Sequence, residues 1–434
     1  MRSAAELLLR DEAGDEPVSA IITRRRDDSL PASSARAVAT LGRATLLRFI
    51  VLYVAKYAAY GVASPFFPAF LGERGLAAEQ LGLTLAAAMA VRLISAPLAA
   101  RAGDASRRLR GVLVVSALAA AIATFGLLRV QGLSPLVALA LLQAATIAPT
   151  TVLADALALA RARPTKDSAG FEYGWVRGAG SAAFVAAMLV AGQAVSRFGL
   201  DVTIQLQAAL LVATTISACF VPGSVQPAKQ APCASGRGGI VALVRCRPLR
   251  SLVLVAALVV GSHAMHDAFA VLRWTFAGID PGTMSMLWSE SVIAEVAVFF
   301  VVGPALLARL TPAGAIALAA AAGALRWAVM ALPCHVPLLA IVQPLHGLSF
   351  ALFHLAAMRL IARVVPASLE ATALAIYGTV GVGIPTALLT LISGALYASY
   401  ASGGFWVMSA LSAAALPLAW TLRERSLRRA SVIG

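Results

Sequence analysis

From Leu46 to Leu422 the chain is almost continuous hydrocarbon, cut by short basic loops into about twelve runs. A bilayer core about 30 Å thick takes about 20 apolar residues per helix. Lipid offers backbone groups no hydrogen-bond partner, so runs of this length cross it as helices. The pattern predicts an all-α membrane protein with twelve transmembrane helices at 46–71, 78–100, 110–129, 134–160, 171–196, 201–221, 248–273, 284–308, 313–331, 335–361, 369–397 and 403–422. Gly and Pro mark the gaps, as at Gly72 and Gly75, Asp280-Pro281 and Thr311-Pro312, while Pro65, Pro68 and Pro385 fall inside spans as expected kinks.

The longest internal break, 222–247, is rich in Pro, Gly and Ser and separates six spans from six. The expected organisation is a disordered cytoplasmic extension (1–45), an N-terminal six-helix bundle (46–221), a cytoplasmic linker (222–247), a C-terminal six-helix bundle (248–422) and a cytoplasmic tail (423–434). The first 45 residues mix acids and bases without a long apolar run, so no secretory signal peptide is expected there. Lys and Arg are distributed 27 to the loops and tails on one side and four, Arg74, Arg129, Arg197 and Arg273, to the other. The positive-inside rule then makes both termini cytoplasmic.

Charged residues are only 13% of the chain, which excludes a soluble domain, where about 25% is usual. The net charge of +15 comes from the loop bias, and no basic stripe interleaves with aromatics to hold nucleic acid. The four cysteines, Cys219, Cys233, Cys246 and Cys334, have neither metal nor disulfide spacing, and the scattered histidines offer no metal site. Motifs of phosphate loops, nucleophile elbows or zinc hydrolases are missing, so neither an enzyme nor a cofactor is expected.

Charge inside the spans carries the functional expectation, because an ionisable group at the midplane is costly and is kept for a role. Those groups are Lys56, Arg92, Asp155, Arg177, Asp267, Glu290, Glu295 and Arg326. Arg177 and Arg326 can grip an anionic or hydroxylated solute with a planar fork of donors, or serve as ion-pair partners of Asp155 and Glu295. Glu295, near the middle of its span, is a candidate proton carrier, while Glu290, five residues earlier and on a different face, is a charged group nearer the outer side or a solvated or locally paired helix-end acid. Asp267 follows His263 by four residues, so one helical turn is expected to pair them. His346 is a proton or substrate contact, and His354 shares its face or bonds a neighbouring helix. Lys56 and Arg92, if both face the interior, make it favour an anion. Trp288, Trp327 and Phe66 can stack on an aromatic ring or pack between helices.

The loop Pro97-Leu98-Ala99-Ala100-Arg101-Ala102-Gly103-Asp104-Ala105-Ser106-Arg107-Arg108 resembles the signature loop of the major facilitator superfamily, with Ala100 in place of its first Gly and its second Gly missing. The resemblance makes Asp104, Arg107 and Arg108 a latch between the bundles. Pro65-Phe66-Phe67-Pro68 and Phe171-Glu172-Tyr173-Gly174-Trp175-Val176-Arg177 resemble the lactose-permease branch. The second half is more similar to the 3-phenylpropionic acid permeases of that branch, through His263, Trp274, Leu287-Trp288-Ser289, Ala294-Glu295, Ala324-Leu325-Arg326-Trp327, Val342-Gln343-Pro344-Leu345-His346, His354-Leu355-Ala356-Ala357-Met358-Arg359 and Gly404-Phe405-Trp406-Val407-Met408.

Carried over, the resemblance implies a substrate site of Asp155, Arg177, Glu295, Arg326 and His346, and proton coupling through Glu295, Asp267 and His346. The chain departs from lactose permease at Ser349, where its proton-carrying acid is expected, and at Gln343, where a lysine is expected. It also has no lysine in the eleventh span to pair Asp267. The full lactose relay therefore cannot operate, and the phenylpropionate type fits better. The expected function is proton-coupled uptake of a small organic solute, an aromatic acid such as 3-phenylpropionate favoured. It would work by alternating access as a monomer in the bacterial inner membrane, with protons and the lipid bilayer as its other partners. An exporter of amphiphilic compounds and a non-transporting membrane receptor are the alternatives.

Overall fold

A computed structural model of the chain describes residues 32–162, 170–223 and 237–422. The first half contains α1 (Ala32–Glu73), α2 (Ala78–Ser106), α3 (Leu109–Gly126), α4 (Leu133–Ala162), α5 (Tyr173–Phe198) and α6 (Asp201–Phe220). After a short helix at Arg237–Arg245 come α7 (Arg247–Phe276), α8 (Pro281–Arg309), α9 (Pro312–Ala331) and α10 (Val336–Val364). The last apolar stretch, Thr372–Trp420, runs for 49 residues. At 1.5 Å per residue that is about 74 Å, more than twice the bilayer core. It turns at the 3₁₀ segment Ala401–Gly403, where Ala401 has a φ of 47°. The limbs before and after the turn are α11 (370–400) and α12 (Gly404–Trp420). The described residues thus hold eleven stretches long and apolar enough to cross a membrane, against the expected twelve, and the last of them is divided by this turn into two limbs. No strand occurs among the described residues.

Helix starts follow local chemistry. Asp280 accepts a hydrogen bond from the Thr283 amide at 3.0 Å and Pro281 opens α8, while Thr311 accepts from the Gly314 amide at 3.1 Å and Pro312 opens α9. One boundary differs from expectation. Helix α1 begins at Ala32, so 32–45 is helical where a disordered extension was expected, and residues 1–31 lie outside the described residues. Of the expected linker, 224–236 lies outside them, as does the tail at 423–434, and 237–245 is helical.

Among the described residues, the apolar core is shared by the two halves at one end. A single apolar cluster there joins Phe66, Phe70, Leu71 and Met188 of the first half to Met265, Phe269, Trp274 and Leu287 of the second. Toward the end bearing the arginine-rich loops, the core divides. One cluster, around Phe49, Tyr53, Leu153 and Val176, belongs to the first half, and another, around Leu252, Ile316, Phe353 and Leu360, to the second. The bundles are therefore packed together at the far end and separate at the basic end. Three π-helical stretches, Val298–Val302, Gly347–Leu352 and Tyr377–Gly383, occur in α8, α10 and α11 of the second half, and Phe350 and Val382 from two of them line the space between the bundles.

Candidate functional site

The separation leaves a cavity of about 710 Å³ at the middle of the molecule, walled by both halves. From the first half, α1 contributes Tyr60, Ser64 and Phe67, α2 Arg92, α4 Gln143 and Thr151, α5 Phe184 and α6 Gln207. From the second, α7 contributes His263, His266 and Asp267, α8 Trp288, Ser291 and Glu295, α9 Arg326, α10 His346 and Phe350, and α11 Thr386 and Thr390.

Polar chemistry is concentrated in the second half, where Arg326 is the hub. Its side chain is 0% exposed. One terminal nitrogen donates to His346 Nδ1 at 3.1 Å; the other donates to Gln343 Oε1 at 2.6 Å and to His266 Nε2 at 3.3 Å. The guanidinium also lies 4.5 Å from the Trp327 ring centroid. An arginine can only donate, so it defines both histidine tautomers. Nδ1 of His346 must accept, and its Nε2 faces Glu295 Oε2 at 3.4 Å. Nε2 of His266 must accept, and its Nδ1 faces Asp267 Oδ1 at 3.4 Å. Two carboxylates thus reach one buried arginine through two imidazoles.

The departures at Gln343 and Ser349 are wired into this hub. Gln343 Oε1 accepts from Arg326 and, at 3.0 Å, from the Ser291 hydroxyl. Ser349 donates to His263 Nε2 at 3.1 Å, because His263 Nδ1 donates to the carbonyl of Val259 at 3.1 Å.

Of the expected site residues, Glu295, Arg326, His346 and Asp267 share the cavity wall. Asp155 and Arg177 do not line it. Asp155 accepts from the hydroxyl of Tyr53, and from that of Tyr173 at 3.0 Å, and the Arg177 guanidinium lies 4.8 Å from the Tyr57 ring centroid. The expected pairing of His263 with Asp267 is replaced by His266 with Asp267. The reason is that both ring nitrogens of His263 are already engaged, Nδ1 by the carbonyl of Val259 and Nε2 by Ser349. His266, absent from the sequence-based candidates, is recruited by Arg326 from another helix, a contact no spacing in the sequence reveals.

Other candidates fall elsewhere. Glu290 is half-buried off the cavity wall, and His354 lies 3.5 Å from the Tyr377 hydroxyl. Phe66 is packed into the cluster joining the bundles, and the neighbouring Phe67 faces the cavity instead. Trp327 backs Arg326, whereas Trp288 does line the wall. Lys56 is 0% exposed and its Nζ has no hydrogen-bond partner among the described residues; it lies 4.7 Å and 4.4 Å from the ring centroids of Tyr53 and Tyr57. Asp104, Arg107 and Arg108 sit at the exposed turn between α2 and α3, where Arg107 takes a φ of 54°. The described residues contain no group of three His, Cys, Asp or Glu able to hold a metal ion.

Comparisons with known proteins agree with this architecture. A probable 3-phenylpropionic acid transporter of Escherichia coli strain K12 is 32% identical over 371 residues, 84% of this chain and 94% of the relative. A maltose permease of Geobacillus stearothermophilus is 25% identical over 83% of this chain and 89% of the permease. Among solved structures, the nucleoside transporter NupG superposes with a TM-score of 0.74 at 17% identity, covering 87% of this chain and 98% of that one. A bacterial homologue of the human lysosomal transporter Spinster, in an inward-facing and unoccupied conformation, gives 0.69 at 13% identity, with coverages of 89% and 98%. At these identities the structural likenesses establish the fold. The model of the MFS_1-like family matches residues 46–408, and the chain belongs to that family, a transporter that moves solutes rather than transforming them.

Proposed function

We propose that this chain is a proton-coupled uptake carrier for a small organic solute, an aromatic acid such as 3-phenylpropionate foremost. The observation that carries the proposal is the cavity wall. It combines an arginine from each bundle, Arg92 and Arg326, with the rings of Phe67, Phe184, Trp288 and Phe350, and with two carboxylates each backed by an imidazole. Arginine favours the anion, the rings accept an aromatic body, and Glu295 with His346, and Asp267 with His266, offer places for a proton. The name of the E. coli relative supports the same substrate class.

Placing the arginine-rich loops in the cytoplasm of a bacterial inner membrane makes both termini cytoplasmic and the open end inward-facing. Closure of the bundles at that end, with opening at the other, completes alternating access. Asp104, Arg107 and Arg108, at the cytoplasmic turn after α2, serve as the latch. Asp155 and Arg177 then belong to the inner vestibule rather than to the cavity. The 46–221 and 248–422 bundles act as the two rocking bodies of a monomer, since one chain supplies every wall.

The test is uptake into proteoliposomes under an imposed pH gradient, with 3-phenylpropionate as the first substrate. Accumulation that collapses with a protonophore supports the proposal. Flux that runs only against the proton gradient favours an exporter, and binding without flux favours a receptor; either refutes it. Glu295→Gln is expected to uncouple flux from the proton gradient.

A further inference from the structure

Arg92 and Arg326 occupy the same cavity in opposite conditions. Arg326 is fully buried and both its terminal nitrogens already donate, to His346, His266 and Gln343 at 3.1, 3.3 and 2.6 Å, while its Nε, which has no hydrogen-bond partner among the described residues, is itself buried. Arg92 lies on one face of α2 with Leu85, Ala88 and Met89, at the spacing of a helical stripe turned to the cavity, and its side chain is exposed there. Among the described residues it makes no ion pair.

The first-half polar side chains that line the cavity with Arg92 are neutral, and several are already hydrogen-bonded. Tyr60 donates to the Ile147 carbonyl at 3.0 Å, and Gln143 donates to Thr124 at 3.0 Å and to Gln207 at 3.1 Å. The carboxylates on the wall, Asp267 and Glu295, both belong to the second half and face their own histidines at 3.4 Å. A midplane arginine without a counter-ion is costly, and an incoming anion offsets that cost.

Building on the reading of this cavity as a site for an aromatic acid, we propose that Arg92 is the subsite that holds the substrate's carboxylate, while Arg326 serves the histidine–carboxylate chain and does not touch it. The guanidinium of Arg92 receives the carboxylate through a two-point fork, and the ring rests on the aromatic side chains of the wall. Arg92 thereby sets the preference for an acid over an uncharged molecule of the same shape.

Ligand-induced thermal stabilisation of the purified full chain tests this with three probes: 3-phenylpropionate, its neutral amide 3-phenylpropanamide, and hexanoate. In Arg92→Gln, affinity for the acid is expected to fall about tenfold or more, the loss of a charge-assisted bond, while affinity for the amide stays within about twofold. Arg92→Lys is expected to recover part of the acid affinity by charge but not the fork. Unchanged acid affinity in Arg92→Gln, or an equal fall for acid and amide, overturns the assignment. If wild type binds hexanoate but not 3-phenylpropionate, the aromatic-acid reading fails while an Arg92-dependent hexanoate affinity still supports the anion subsite. If wild type binds no carboxylate, both fail.

Discussion

The packed far end of the two bundles rests on backbone-to-backbone approach, and filling one glycine there should push the transporter toward its other state. A methyl group on Gly82 of α2 would stand 2.7 Å from the Cα of Gly394 in α11, 3.0 Å from its nitrogen and 3.1 Å from the Thr390 carbonyl oxygen. Carbon atoms in contact prefer about 3.5–4.0 Å, so α2 and α11 must separate by about 1 Å, and no rotamer can relieve a clash with backbone. Overpacking of this kind costs about 1–3 kcal/mol. The cost falls only on the state in which α2 and α11 touch at this end, so the ratio of far-end-open to far-end-closed molecules rises by about 5–150-fold. Ser64 of α1 lines the cavity and serves as the reporter. With Cys219, Cys233, Cys246 and Cys334 replaced by serine, Ser64→Cys is labelled by a membrane-impermeant maleimide from the far side. Gly82→Ala should raise that rate by the same factor. Gly178→Ala, where an added Cβ meets nothing within 4 Å, should leave it unchanged. Equal rates in the two alanine variants would refute the view that backbone contact at Gly82 and Gly394 holds the far end shut.

Three further outcomes follow from particular contacts. Lys56→Met removes a buried amine that has no hydrogen-bond partner and keeps the volume, so thermal stability should rise by about 1 kcal/mol or more; a fall would mean the ammonium is stabilised by the Tyr53 and Tyr57 rings more than its burial costs. Gln343→Leu leaves Arg326 and Ser291 without their shared acceptor and should cost about 1.5–3 kcal/mol in a denaturation experiment; a loss below 0.5 kcal/mol (about the limit for an uninvolved site) would detach Gln343 from the hub. At the exposed start of α8, the side-chain hydroxyl and amide of Thr283 hold Asp280 below the usual carboxylate range. A depressed acid stabilises the fold above its unfolded pKa of about 4 and loses that contribution as pH falls through the folded value, so Asp280→Ala should cost about 1 kcal/mol at pH 7 and progressively less in acid. A pH-independent difference in melting would contradict this.

Much of this architecture was readable in advance because a bilayer enforces length and polarity residue by residue. Apolar runs of about 20 residues and the arginine bias need no tertiary information. Helix ends were readable where local chemistry sets them, as at Asp280-Pro281 and Thr311-Pro312, and misjudged where it does not. The alanine-rich segment 32–45 continues α1 through Gly42 without a break, since alanine favours the helix and no proline interrupts it. The site was harder. Recognising charges within spans identified Glu295, Asp267, Arg326 and Arg92 as cavity groups, but not which of them point to the same space. Depth and rotation separate Asp155 and Arg177 from the rest, and both are set by how α4 and α5 pack, not by any run of residues.

The histidines make the physical reason concrete. His263 and Asp267 stand four residues apart and both face the cavity, and the sequence does not show which histidine is already taken by other partners. His263 is held by Ser349 and the carbonyl of Val259, leaving His266 beside Asp267 and within reach of Arg326. The two residues that break the lactose-permease pattern then acquire a common explanation. A lysine at position 343 would place a second cation beside Arg326, and an acid at position 349 would compete for the histidines. Gln343 and Ser349 instead supply one acceptor and one donor, so the arginine stays buried among neutral partners and its charge is balanced through imidazole by Glu295 and Asp267. An internally balanced Arg326 leaves Arg92, on the opposite wall, as the cavity's arginine without an ion pair among the described residues, which on the proposed function puts anion selection in the first half and proton handling in the second.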